Sequence, residues 1–307
     1  MIYENTPIKS SNKTLKRGKT KEKIISKILM VLASISILTT IGIIVILSKE
    51  TFLFFQEISI KDFLTGTEWT ALFANPKFGV LPLVLGTLMI AIYGSIVAIP
   101  VGLGSAIYLS EYASDKTRKI VKPLLEILAG IPSIVYGYFA LTFITPILKK
   151  FFPDINVFNA LSASIAVGIM IIPMISSLSE DAMKAVPDEI RQGAYALGAT
   201  KFEVSTKVVI PAALSSIISS FVLAISRAIG ETMIVTLAAG STPRLTLNPL
   251  ESVQTMTSFI VQVASGDVTH GGLIYKTIFA VGMLLFLITL LMNIIARMII
   301  KKYREEY

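Results

Sequence analysis

Cysteine is missing from all 307 residues, and histidine occurs once, at His270. The first absence removes disulfides and thiolate metal sites, and the two together leave almost nothing from which a metal centre could be built. Charge is also scarce: Asp, Glu, Lys and Arg make up 16% of the chain, against 53% for apolar and aromatic types. A soluble domain carries roughly a quarter charged residues, so this balance points to a multi-spanning all-α membrane protein. A phosphate-cradling loop is missing as well. Gly18-Lys19-Thr20 imitates the end of a P-loop, but Lys13 stands where that motif needs its first Gly. Any nucleotide chemistry therefore belongs to another chain.

What the sequence does hold is a series of long apolar runs. Residues 28–47 contain no charge, and about twenty such residues suffice for a helix to cross roughly 30 Å of hydrocarbon. Further helices are expected at 81–110, 124–148, 160–178, 212–239 and 273–300, giving six spans within a transmembrane domain covering 28–307. The net charge of +8 is unevenly placed: of the 28 Lys and Arg, twenty fall in the tail 1–27, in 116–122, in 179–210 and at the C-terminal end, and six in 49–80, 149–159 and 240–272. That asymmetry predicts cytosolic termini and a basic tail that is topogenic, not a nucleic-acid footprint. The tail is expected to be disordered at its start. Residues 49–80 then read as an external segment with an interfacial Trp69, 111–123 as a short internal basic loop, and 240–272 as an external connection. Its stretch 253–264 is amphipathic enough to lie in the interface or dip back in.

Small residues recur every four positions at Gly94, Ala98, Gly102 and Ala106, and again at Ala160, Ser164 and Gly168. In lipid such stripes let helix backbones approach closely. Pro100 predicts a kink. In the third helix Gly130, Pro132, Ser133 and Gly137 form an interruption, tolerated at membrane depth only where protein or water satisfies the freed backbone groups.

The fifth helix carries two charges. Each costs about 2.5 to 3.5 kcal/mol at the bilayer centre, so Arg227 and Glu231 are expected to face protein or water. Their spacing of four puts them on one helix face, where an ion pair can form. Beside Ser226, Thr232 and Thr236, the guanidinium suits a tetrahedral oxyanion, because its fork bonds two oxygens at once. Structural glue between helices is the competing reading. A gradient-coupled anion carrier and a membrane sensor or scaffold also stay open on these residues.

Between the fourth and fifth spans, 179–210 is long for a bundle connection and rich in helix formers. Pro187-Asp188-Glu189 suits a helix start, and Gly198 suits a break. Here the chain resembles the coupling loop of ABC-importer permeases: Gln192-Gly193-Ala194 stands where that family has Glu-Ala-Ala, Gly198 matches its glycine, and Val209-Ile210-Pro211 closes it. The resemblance extends to Tyr108-Leu109-Ser110-Glu111-Tyr112, to Leu125-Glu126-Ile127-Leu128-Ala129-Gly130-Ile131-Pro132-Ser133-Ile134-Val135-Tyr136-Gly137, and to Arg227-Ala228-Ile229-Gly230-Glu231-Thr232. Together these are similar to the PstC-type permease subunits of phosphate importers. The resemblance implies the type I ABC importer permease fold in a cytoplasmic membrane, embedded in lipid, and a transport subunit that performs no bond chemistry. It also implies a second homologous permease, two cytosolic ATPase subunits that bind ATP and Mg, and an extracytoplasmic phosphate-binding protein. Arg227, Glu231, Ser226, Thr232 and Thr236 would line the phosphate pathway. Gln192, Gly193, Ala194, Tyr195, Leu197, Gly198, Ala199 and Thr200 would dock the ATPase. Another oxyanion, such as arsenate, is the alternative substrate.

Overall fold

The computed structural model describes residues 12–302, with side chains over 22–301. The expected disorder at the start of the tail lies outside these residues, as does Arg304. Six helices among them are long and apolar enough to cross a membrane: Glu22–Phe55, Leu81–Tyr112, Ser133–Phe151, Ala160–Lys184, Lys201–Ile229 and Leu273–Lys301. Among the described residues, 12–50 form one unit and 51–302 another. In the first, helix α1 (Asn12–Phe55) begins ahead of its uncharged run, so the basic residues of the tail from position 12 onward continue the span as helix. Leu29, Met30 and Leu38 on this stretch stay largely exposed. A helix that is apolar all round suits lipid.

The second unit opens with α2 (Ile60–Thr65) and an isolated bridge pairing Trp69 with Phe78. Trp69 is not interfacial. It is 2% exposed and packs edge-on against Phe259 at 4.8 Å between centroids, with Phe63 and Phe78 each at 6.2 Å. Aromatic pairs of this geometry add about 0.5 to 1.5 kcal/mol beyond area burial, which draws the indole into a core.

Helix α3 (Leu81–Ile107) runs on through Pro100 into a π turn at Tyr108–Tyr112. Residues expected as a basic loop then form α4 (Asp115–Ala129), started by Ser114, whose hydroxyl accepts the Thr117 N–H at 3.2 Å. The N-cap and the apolar residues spaced three and four apart outweigh the basic run and Pro123. The third span therefore starts at Ser133, beyond a break at 130–132, and comprises α5 (Ser133–Phe139), a π turn at Ala140–Ile144 and α6 (Thr145–Phe151).

Helix α7 (Ala160–Lys184) packs on α3 more extensively than any other pair of helices packs. The two small-residue stripes meet here. A Cβ on Gly168 would stand 2.8 Å from the Gly94 carbonyl oxygen, and one on Gly94 would stand 3.0 Å from that of Ser164. After α7 come α8 (Asp188–Ala196), α9 (Lys201–Val204) and a π turn at Ser205–Val209 that leads into α10 (Ile210–Ile229). The fifth helix then stops. A separate α11 (Met233–Ala238) follows, where a continuous helix to 239 was expected. Within 240–272, α12 (Met256–Ala264) turns inward and buries Met256, Phe259 and Val263. The last helix is α13 (Leu273–Lys302), which packs on α10 and α12.

Because backbone fills the space at the seam of α3 and α7, Gly168→Val is expected to destabilise the protein by about 1 to 3 kcal/mol through overpacking. Gly104→Ala, where an added Cβ meets nothing within 4 Å, is expected to be neutral or slightly stabilising. Thermal unfolding in detergent measures both; equal melting temperatures would refute the tight seam.

Candidate translocation site and docking surface

The break after Ile229 decides where the two charges of the fifth helix point. Gly230 caps α10, and Glu231 is the next residue, outside the helix. Its carboxylate turns to the start of α11, where Oε1 accepts the N–H of Met233 at 3.0 Å and of Ile234 at 3.2 Å. Two orphan donors are thereby satisfied by a negative group at the positive end of a helix. The expected Arg227–Glu231 ion pair does not form, since a shared helix face requires a continuous helix. Arg227 is exposed and has no ion pair among the described residues. Of the hydroxyls expected beside it, Thr236 donates to the Thr232 carbonyl at 2.7 Å and Thr232 to that of Gly230 at 3.2 Å. The buried Ser226 Oγ has no hydrogen-bond partner. Thr257 of α12 donates to the Glu231 carbonyl at 2.7 Å and so braces the break from outside its own helix.

The other broken helix is placed against this one. Gly130 caps α4 and Pro132 precedes α5, while the Tyr136 hydroxyl reaches back to donate to the Leu128 carbonyl at 2.8 Å. Gly137 lies against α11, where a Cβ would come 3.1 Å from Ile234 Cα. Two interrupted helices thus meet at their second halves, with a guanidinium and a phenol beside the meeting point. Ser133 opens α5 and is half-buried, whereas Gly130 and Pro132 are exposed.

At one end of the bundle α8 stands out from the body. Pro187 precedes its first turn, which carries Asp188 and Glu189, and Gly198 ends the segment at φ +85, a conformation glycine takes freely. Thr200 and Glu203 then form a capping box that starts α9. Leu197 is 91% exposed, and Gln192, Gly193, Tyr195, Gly198 and Thr200 are exposed with it. Ala194 and Ala199 turn the other way, onto a cluster containing Met183, Val186 and Val209. Arg191 fastens α8: its Nη2 donates to the Met183 carbonyl at 2.7 Å and contacts Glu111 at 3.4 Å, and its Nη1 donates to the Val186 carbonyl.

Next to this anchor sits a cluster missed in the sequence, although a carboxylate at the end of a long apolar helix was its signal. The Glu180 side chain, 1% exposed, lies 2.7 Å from Lys122 Nζ, 2.9 Å from Arg118 Nε and 3.7 Å from Lys184 Nζ. The Arg118 contact is a close charge approach without an aligned hydrogen bond. Lys122 also bonds Asp181. Burial alone would lower the Lys122 pKa, but its bonds to Asp181 and Glu180 outweigh that and hold it above the ordinary lysine value. A raised pKa in the folded state contributes stability that is fully present below the unfolded value and lost only as pH climbs through the folded one, so the Lys122 contribution is complete at neutral pH.

The described residues thus hold six spans, two helical breaks at span ends whose following segments pack against each other, and a folded knob between the fourth and fifth spans. Among the described residues no group of His, Cys, Asp and Glu could hold a metal. The chain belongs to the binding-protein-dependent transport system inner membrane component family, whose model matches residues 98–305. It is an ABC importer permease and a multi-pass membrane protein. It is 33% identical to the "Probable ABC transporter permease protein YqgH" of Bacillus subtilis (strain 168), over 88% of this chain and 86% of that one. It is 32% identical to the phosphate transport system permease protein PstC of Xylella fastidiosa (strain 9a5c), over 80% of each. The fold is that of type I ABC importer permeases. A bacterial ABC transporter involved in the import of the acidic polysaccharide alginate aligns with TM-score 0.62 at 14% identity, over 95% of this chain and 100% of that one. The methionine ABC transporter MetNI, in an inward-facing conformation, aligns with TM-score 0.55 at 17% identity, over 74% of this chain and 95% of that one.

If Glu231 acts on α11 as a cap, Glu231→Gln should keep near-wild-type stability, because an amide oxygen still accepts both N–H groups. Glu231→Ala should cost about 1 kcal/mol. Thermal unfolding in detergent separates them, and equal losses would refute the cap.

Proposed function

We propose that this chain is the permease subunit of an ATP-driven phosphate importer. It forms the translocation pathway with a second homologous permease and has both termini in the cytosol. The observation that carries this reading is Arg227: a guanidinium in a membrane-spanning bundle, without a carboxylate partner among the described residues, beside two interrupted helices that pack together. A fork of donors left unneutralised suits a tetrahedral oxyanion. Glu231, committed to α11, adds negative charge to the same region without quenching the guanidinium, which keeps anion binding weak enough for release. Ser226 supplies a hydroxyl with no competing partner, whereas Thr232 and Thr236 contribute through the backbone they brace. The PstC relatives support phosphate as the substrate.

Two cytosolic ATPase subunits, holding ATP and Mg, would dock on the exposed face of α8 around Leu197 and Gly198. Closure of the ATPase dimer would move this knob and its counterpart, and the bundles would rock between outward and inward openings. An extracytoplasmic phosphate-binding protein would deliver substrate to the face formed by 49–80 and 240–272. No bond is made or broken on this chain.

Reconstitution of the full complex in proteoliposomes tests the reading. Uptake of labelled phosphate is expected only with ATP inside, with arsenate competing; uptake driven by an ion gradient alone would overturn the proposal. Arg227→Ala should leave ATPase binding intact and cut uptake roughly thirtyfold or more, the loss of about 2 kcal/mol or more from charge-assisted bonds. Gly198→Trp should abolish assembly with the ATPase. Unimpaired uptake in the Arg227 variant would assign that residue to helix packing.

A further inference from the structure

Dehydrating a carboxylate and several cations at the end of a spanning helix is costly, and apolar replacement of such a cluster is often as stable or more so. What the ionic arrangement supplies is registry between the elements it joins. We propose that Glu180 is a positioning residue. Through Arg118 and Lys122 it locks α4 to the end of α7, so that a push on α8 is carried by α4 to the break at 130–132. This rests on the reading of α8 as the ATPase-docking element.

The lock matters because little else holds α4. It buries none of its side chains in this chain, and among the described residues α7 is the one helix it packs against extensively. On one side of the lock, α8 is tied to α7 by the Arg191 bond to the Met183 carbonyl, and to the turn that follows α7 by its bond to the Val186 carbonyl. On the other, Tyr136 ties the start of α5 to Leu128 of α4, and Gly137 seats α5 on Ile234 of α11, the helix that Glu231 caps. The sequence of contacts is continuous from the exposed knob to the charged meeting point. Glu180 is where it passes from α7 to α4.

The test uses the full chain reconstituted with its partner permease, ATPase and binding protein. Two variants are compared with wild type: Glu180→Gln, and the combined Arg118→Met, Lys122→Met, Glu180→Met, which replaces the charges with apolar bulk. Both should retain ATPase binding and ATP hydrolysis, while phosphate imported per ATP hydrolysed falls at least tenfold. A wild-type ratio in the combined variant would overturn the proposal and leave the cluster a purely structural one. Loss of ATPase binding in both variants would also overturn it, because the cluster would then support docking. Failure of the ATPase to bind the unmutated chain would refute the docking reading itself. A second measurement does not depend on transport. The chain has no cysteine, so Lys119→Cys and Glu189→Cys can carry spin labels on α4 and α8. A single narrow distance, equal in resting and ATP-bound states, is expected with Glu180 present and a broad one in the combined variant. Identical distributions would overturn the lock.

Discussion

A backbone group set free inside an apolar bundle has to find a partner within the protein, and the architecture here follows from how that is done. Two helical runs are interrupted, at 130–132 just ahead of the third span and at 230–232 just past the fifth. Each interruption is closed by a side chain: the Tyr136 hydroxyl on the Leu128 carbonyl, the Glu231 carboxylate on the Met233 and Ile234 N–H groups, and the Thr257 hydroxyl on the Glu231 carbonyl. Closed in this way, the breaks are defined corners, and the segments beyond them, α5 and α11, can pack on each other where Gly137 removes the side chain that would keep them apart.

The same requirement sorts the charges. Glu231 is engaged by a helix terminus and is unavailable to Arg227, which stays exposed just ahead of the break. Glu180 meets the opposite fate: it is buried against Lys122 and Arg118, which come from a helix that otherwise buries nothing in this chain. One carboxylate releases a cation and the other gathers several. Between them, α3 and α7 form a closely packed spine, because Gly94 and Gly168 let two backbones touch.

Much of this was legible from local residues. The long apolar runs marked the spans, since a helix must be about twenty residues long to cross a bilayer. Pro187 and Gly198 marked the ends of the segment between the fourth and fifth spans through backbone preference alone. Other features were not legible. The helix α4 was hidden because its basic run resembles a loop until Glu180, 58 positions away from Lys122, meets Lys122 and Arg118. Trp69 looked like an interfacial residue until Phe259 of a distant segment closed over it. The run through Arg227 and Glu231 read as one helix, because a single Gly after Ile229 does not by itself say whether a helix continues.

By itself the sequence determined the number of spans, the small-residue stripes and the knob between the fourth and fifth spans, all of which depend on neighbours three or four residues apart or on a continuous run. Only the tertiary structure decided that the fifth span stops at Gly230, that Glu231 serves α11 instead of Arg227, and that Glu180 binds α4. These depend on which distant groups arrive to satisfy a freed amide or a buried charge, and such partners are chosen by packing, not by spacing along the chain.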